Sequence, residues 1–289
     1  MKKTIEKVVS RPRHAGMVGD GFRVYNYIPR GGIEQHRLSP FLLMDFAAAH
    51  YFSPTDTPRG VDAHPHKGFE TVTIAYKGSV AHHDSAGNSG VIHPGDVQWM
   101  TAGSGLLHKE YHDAQFAAEG GIFEMVQLWV NLPKAYKLVN PHYQALTADR
   151  IPKVLLPNDG GEVNVIAGSF NGQNGAATTY TPVNLFDIKL HAKGQVSATI
   201  PATHNTALLV VEGNVTVNDR PVHQHDFVLF NNDGTSVEIK ADTDAVVLLL
   251  SGTPIEEPIA SYGPFVMNTQ DEIVEAIKEF QRGAYGVLA

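Results

Sequence analysis

The chain has 289 residues, of which 43% are hydrophobic and 18% charged, with a formal net charge of −8. That composition supplies real cores and excludes a disordered chain, and the acidic balance gives no global electrostatic basis for direct nucleic-acid binding. The absence of cysteine excludes disulfides, thiolate zinc sites and cysteine nucleophiles.

The N-terminal stretch opens with Lys2 and Lys3, but Glu6, Lys7, Arg11 and Arg13 interrupt the residues behind them. No apolar core of a secretory signal stands there, so the cytoplasm is the expected location. No uninterrupted apolar run has the length of a membrane span, so no membrane partner is expected. Turn signals then recur at short intervals: Gly31-Gly32, Gly87-Asn88, Pro94-Gly95, Asn158 to Gly161, Asn171-Gly172 and Asn232-Asp233-Gly234. Between them, residues 71–76, 123–130, 207–211, 215–217 and 245–250 are rich in β-branched and aromatic side chains and read as strands. Short strands with such turns indicate an all-β sandwich or barrel. One segment breaks the pattern. Ile273, Ala276, Ile277 and Phe280 have helical spacing, Thr269 and Glu272 form a capping box, and Gly283 closes the helix.

A weak internal repeat is visible. Glu70-Thr71 stands seven residues before Lys77-Gly78, and Asn205-Thr206 seven residues before Glu212-Gly213. Later, Gly95-Asp96-Val97 parallels His225-Asp226-Phe227. Two copies of one β fold are the economical reading, with a first domain over 1–136 and a second over 137–289.

Among fifteen histidines, two arrangements stand out. His64-Pro65-His66 places two imidazoles at i and i+2, on one face of an extended chain. Pro65 supports extension by biasing His64 away from the helical region. His108-Lys109-Glu110 repeats the spacing after a Gly-rich turn. Either pair alone reads as exposed polar residues on a strand. Two pairs on neighbouring strands would converge three imidazoles and one carboxylate on one point. Such a donor set suits Fe, Mn, Ni, Cu or Zn. Octahedral geometry would leave two positions open, unlike the closed sites that serve structure alone.

His64-Pro65-His66-Lys67-Gly68-Phe69-Glu70-Thr71-Val72 resembles the first metal motif of the pirins, a family of the cupin superfamily. The run from His93 through Gly103-Ser104-Gly105 to His108-Lys109-Glu110 resembles the second. Gly263 to Thr269 followed by a helix, residues 41–46 and residues 128–133 are similar as well. The resemblance spans most of the chain. It implies a bicupin: two β-barrel domains and a short C-terminal helix, with metal in the first barrel only. It also implies His64, His66, His108 and Glu110 as ligands of one divalent metal, iron first and Mn, Ni, Cu or Zn as alternatives. Glu70 is expected to support that site, and His112, two residues beyond Glu110, to stand close behind it. His82-His83-Asp84 reads as a solvent-facing strand end. His204, His223 and His225 read as surface or hydrogen-bonded histidines, and Ala47 to Phe52 as the pocket mouth.

The resemblance implies two functions. One is an oxygenase of the quercetin 2,3-dioxygenase type, which opens a flavonol ring with O2, with Glu110 as the catalytic base. The other is a metal- or redox-dependent regulator that binds a transcription factor or a metabolic enzyme.

Overall fold

A computed structural model describes residues 1–288. The chain divides into two compact units, each with a seven-stranded and a four-stranded antiparallel sheet. The first unit comprises residues 14–36, 41–148 and 255 onward. Its larger sheet runs, edge to edge, through His142–Leu146, Val97–Thr101, Phe69–Lys77, Gly121–Asn131, Phe41–Phe52, Phe22–Ile28 and Gly16–Val18. Its smaller sheet runs through Gly60–His66, Leu106–His112, Val80–Asp84 and Ser89–Ile92. Phe22, Val24, Phe52, Ala75, Val80, Ile92, Phe123 and Met125 form an apolar core drawn from both sheets.

The second unit comprises residues 1–13, 37–40 and 149–254. Its larger sheet runs through Ile5–Val9, Phe227–Phe230, Asn205–Glu212, Ala245–Gly252, Val183–Leu190, Gly161–Ala167 and Lys153–Leu155. Its smaller sheet runs through Gln195–Thr199, Ser236–Ala241, Val215–Val217 and Arg220–Val222. Strand for strand, both sheets repeat the order of the first unit, apart from one edge strand. His142–Leu146 closes the larger sheet of the first unit, whereas the N-terminal strand Ile5–Val9 takes that edge in the second. The repeat read from Gly95-Asp96 and His225-Asp226 is one turn used twice. Asp96 accepts the backbone N–H of His93 at 3.0 Å, and Asp226 that of His223 at 3.1 Å. His225 adopts the left-handed φ of +69° that Gly95 adopts at +92°, at some cost for a residue with a Cβ.

The units therefore differ from a cut between residues 136 and 137. The N-terminal strand serves the second barrel, and the C-terminal segment packs in the first unit. There, Gln270–Gln281 is the expected helix, with Thr269 as cap and both halves of the capping box formed. A second helix, Ala114–Glu119, is not apparent from periodicity because it has only six residues.

Candidate metal centre

The two ligand motifs lie on adjacent antiparallel strands. His108 pairs with His64 and Leu106 with His66 across Gly60–His66 and Leu106–His112, and the register shifts between His108 and Glu110. Strand alternation then turns His64, His66, His108 and Glu110 to one side. The rings of His64 and His66 are 4.7 Å apart, and His108 lies 5.6 and 5.9 Å from them. Each of the three imidazoles offers a nitrogen within 4.8 Å of the other two, and together they could hold a metal ion.

The nitrogens carry the marks of a ligand set. His64 Nδ1 donates to the Asp62 carbonyl at 2.8 Å, which leaves Nε2 with a free lone pair. Nδ1 of His66 and Nδ1 of His108 are buried without a partner, an expensive condition unless something else binds them. Burial, and then the neighbouring imidazoles, hold the His66 and His108 pKa values well below the usual range. Both are therefore neutral at pH 7, the form that ligates a cation. The donor set fits a divalent metal.

Glu110 stands beside this triangle, buried, with Oε2 3.8 Å from His108 Nδ1. Its carboxylate is fixed by Gln127 Nε2, at 3.3 and 3.1 Å from its two oxygens, and by the Thr73 hydroxyl at 3.4 Å. Neither Gln127 nor Thr73 carries a sequence signal, because they come from the larger sheet and approach only through tertiary packing.

Glu70 does not support the site. Three residues from Thr73 on the same strand, it points to the opposite face, where the Thr101 hydroxyl donates to it at 2.7 Å. Burial pushes its carboxyl up to about 7, against the pull of that hydrogen bond. His112 is also structural. Its ring is enclosed by Phe22, Phe52, Phe116 and Phe123 at 4.7–5.8 Å, and Nε2 donates to the Gly21 carbonyl at 2.9 Å.

The solvent-facing reading of His82 and Asp84 is overturned, since both are buried and only His83 is exposed. His82 pairs directly across from Glu110, lies 6.1 Å from the His108 ring, and meets the Tyr143 hydroxyl at 3.0 Å. Ala47 to Phe52 pairs with residues 121–125, and Phe52 packs on His112 and Phe123.

In the second unit, Val196, Ala198, Ile200, Val215, Val217, Val237 and Ile239 belong to the apolar core. His204 is buried against the Ser251 and Thr253 hydroxyls at 3.4 and 3.2 Å, His223 meets Asn214, and His225 meets Arg11. Among the described residues, the three-histidine cluster of the first unit is the one group with metal-ligand geometry.

Comparison with known proteins agrees with this architecture. The family described as pirin matches residues 21–130, and the pirin C-terminal cupin domain matches residues 185–286. A crystal structure of quercetin 2,3-dioxygenase from Acinetobacter baumannii is 46% identical, covers all of both chains and superposes with a TM-score of 0.94. Human pirin is 38% identical over 291 residues, covering 99% of this chain and 94% of that protein. The fold, at 22% identity and a TM-score of 0.64, is shared with the Escherichia coli pirin YhhW solved in complex with nickel(II), over 86% of this chain and 99% of that one. With two cupin domains in this order and this level of identity, the chain belongs to the pirin family.

Proposed function

We propose that this protein is a metal-dependent oxygenase of the quercetin 2,3-dioxygenase type, with His64, His66, His108 and Glu110 holding one divalent metal and Glu110 acting as base. The observation that carries the reading is the meeting of three imidazoles, two of them with orphaned buried nitrogens, beside a carboxylate pinned by Gln127 and Thr73. A bound divalent ion supplies Lewis acidity, lowering the pKa of a hydroxyl brought to it. The nitrogen and oxygen donors suit Fe, Mn, Ni, Cu or Zn without selecting among them, and iron is placed first on the family resemblance alone.

The chain's own residues do the rest. Glu110, the carboxylate beside the imidazoles, is the base assigned to the proton of a flavonol 3-hydroxyl, leaving an electron-rich flavonolate as the partner for O2. Gln127 and Thr73 keep the carboxylate in one orientation while the proton arrives. His64, half-exposed where His66 and His108 are buried, marks the side from which substrate enters. The test is oxygen consumption with quercetin by protein loaded separately with each of the five metals. Turnover that depends on metal and disappears in His66→Ala supports the reading; stoichiometric binding with no turnover for any metal refutes it.

The regulatory reading has its own support. Lys109 and Tyr111 alternate with His108 and Glu110, so they lie on the outer face of the strand that carries the site. With Gly60 and Asp62 they line a surface cavity of about 540 Å³. Tyr111 stacks on His83 there, its hydroxyl 2.9 Å from His83 Nδ1. A partner protein seated on this face would meet the backbone that sets the ligand spacing. Binding without turnover would direct the search to such a partner.

A further inference from the structure

The C-terminal segment touches the backbone beside two of the three histidines. Lys67, next to His66, is buried, and its ammonium donates to Glu279 of the C-terminal helix and to the Ser104 carbonyl at 3.0 Å. It also lies 5.6 Å from the centre of the Tyr285 ring. The Tyr285 hydroxyl, with one proton to give, stands 3.0 Å from the Ala276 carbonyl and 3.1 Å from the same Glu279 oxygen, both acceptors. Val266 N–H donates to the Lys67 carbonyl at 3.0 Å, and Lys67 N–H to the Pro264 carbonyl at 3.3 Å.

On the His108 side, the Ser85 hydroxyl donates to the Tyr285 carbonyl at 2.6 Å and accepts the N–H of Leu107 at 2.9 Å. Ser85 N–H in turn donates to the Leu107 carbonyl at 2.9 Å. The tail is thus tied to the residue after His66 and, through Ser85, to the residue before His108.

Glycines in both motifs answer to this contact. A Cβ at Gly68, where φ is +86°, would meet the Val266 carbonyl oxygen at 2.0 Å. A Cβ at Gly105, where φ is +120°, would meet the Tyr285 ring at 2.3 Å. Side chains there would push the C-terminal segment off the ligand strands.

We infer that the C-terminal segment is a clamp on the metal site, with Lys67, Glu279 and Ser85 as positioning residues that hold the spacing of His66 and His108. The inference rests on the metal-binding part of the proposed function and adds a source of ligand geometry outside the barrel. A carboxylate–lysine pair and a serine bridge act here as outer partners do at metal sites, restricting the ligands to one arrangement before the ion arrives.

The test is the Ni(II) dissociation constant of the full chain, with folding followed by circular dichroism and tryptophan fluorescence. Lys67→Met, Glu279→Gln and Ser85→Ala are each expected to weaken Ni(II) binding about tenfold or more. Lys77→Met breaks another lysine–glutamate pair of the same unit, Lys77 to Glu124 at 2.9 Å, and is expected to leave binding unchanged. If Lys67→Met does not fold, Glu279→Gln and Ser85→Ala carry the test. Parent-like affinity in all folded clamp variants, with binding lost in His66→Ala, overturns the clamp and leaves the metal site standing. Equal weakening in Lys77→Met overturns it as general softening. Binding by the parent no tighter than by His66→Ala overturns both.

Discussion

Lys137 gives the sharpest test of how the first unit is held together. Its ammonium is buried and makes three hydrogen bonds, to the Gly68 carbonyl at 2.9 Å, the Asn131 side-chain oxygen at 2.8 Å and the Val266 carbonyl at 3.0 Å. Burial pushes its pKa down to about 8, with Glu257 and Glu272 pulling it back up. Lys137→Met strands three buried acceptors, a gross loss of about 3–9 kcal/mol at roughly 1–3 each. Relief of the buried charge offsets about 3 kcal/mol, from the shift between 10.5 and about 8 at about 1.4 kcal/mol per unit. The expected net loss is about 3 kcal/mol, in line with breaking one side of a buried ionic cluster.

Urea unfolding followed by tryptophan fluorescence measures it, because Trp99 and Trp129 both lie in the first unit. The pH dependence adds a second signature. Between about 8 and 10.5 the unfolded lysine holds its proton while the folded one has released it, so this contribution to stability rises with pH. It is fully present above the unfolded pKa and lost as pH falls through about 8. Lys137→Met should lack that rise. A variant more stable than the parent, outside the range left when about 3 kcal/mol is taken from about 3–9, or an unchanged slope in the variant, refutes the account.

Glu70 has the opposite sign. Its carboxyl is raised to about 7, so its contribution is fully present below its unfolded value of about 4.5 and fades as pH rises through 7, by at most about 3 kcal/mol. Glu70→Gln should flatten unfolding curves measured across that window, and an unaltered slope would show that Glu70 is not the group responsible. His112→Phe fits a ring into an aromatic cage but strands the Gly21 carbonyl, so it should cost about 1–2 kcal/mol and leave metal stoichiometry intact by elemental analysis; loss of metal would place His112 in the site after all. Glu110→Gln should retain part of the bound metal and lose quercetin-dependent oxygen uptake, and undiminished uptake would remove Glu110 as base.

Much of the architecture is legible in the sequence because it is locally encoded. Period-two runs, Gly and Asn turns and one capped 3.6-period segment specify strands and a helix without long-range information. The i, i+2 spacing of His64–His66 and His108–Glu110 fixes which residues share a face, so the candidate ligands can be named once the two strands are neighbours.

Register and packing lie beyond that reach. Strand alternation gives two faces but not which one is inside, so His82 reads as exposed in the sequence although it pairs with Glu110 and is buried. Glu70 reads as a support of the site although it turns to the other side of its strand. Gln127 and Thr73, 17 and 37 residues from Glu110 in sequence, lie on strands of the other sheet, and only the closing of two sheets brings them to Glu110. The edge strand Ile5–Val9 and the C-terminal segment join units that sequence order does not suggest, because hydrogen bonding and apolar burial depend on spatial neighbours. The sequence alone determined the β class, five strand segments, the C-terminal helix and the shared face of each ligand pair; the tertiary structure decided which face is buried, what pins Glu110, and that the C-terminal segment lies against the backbone beside His66 and His108.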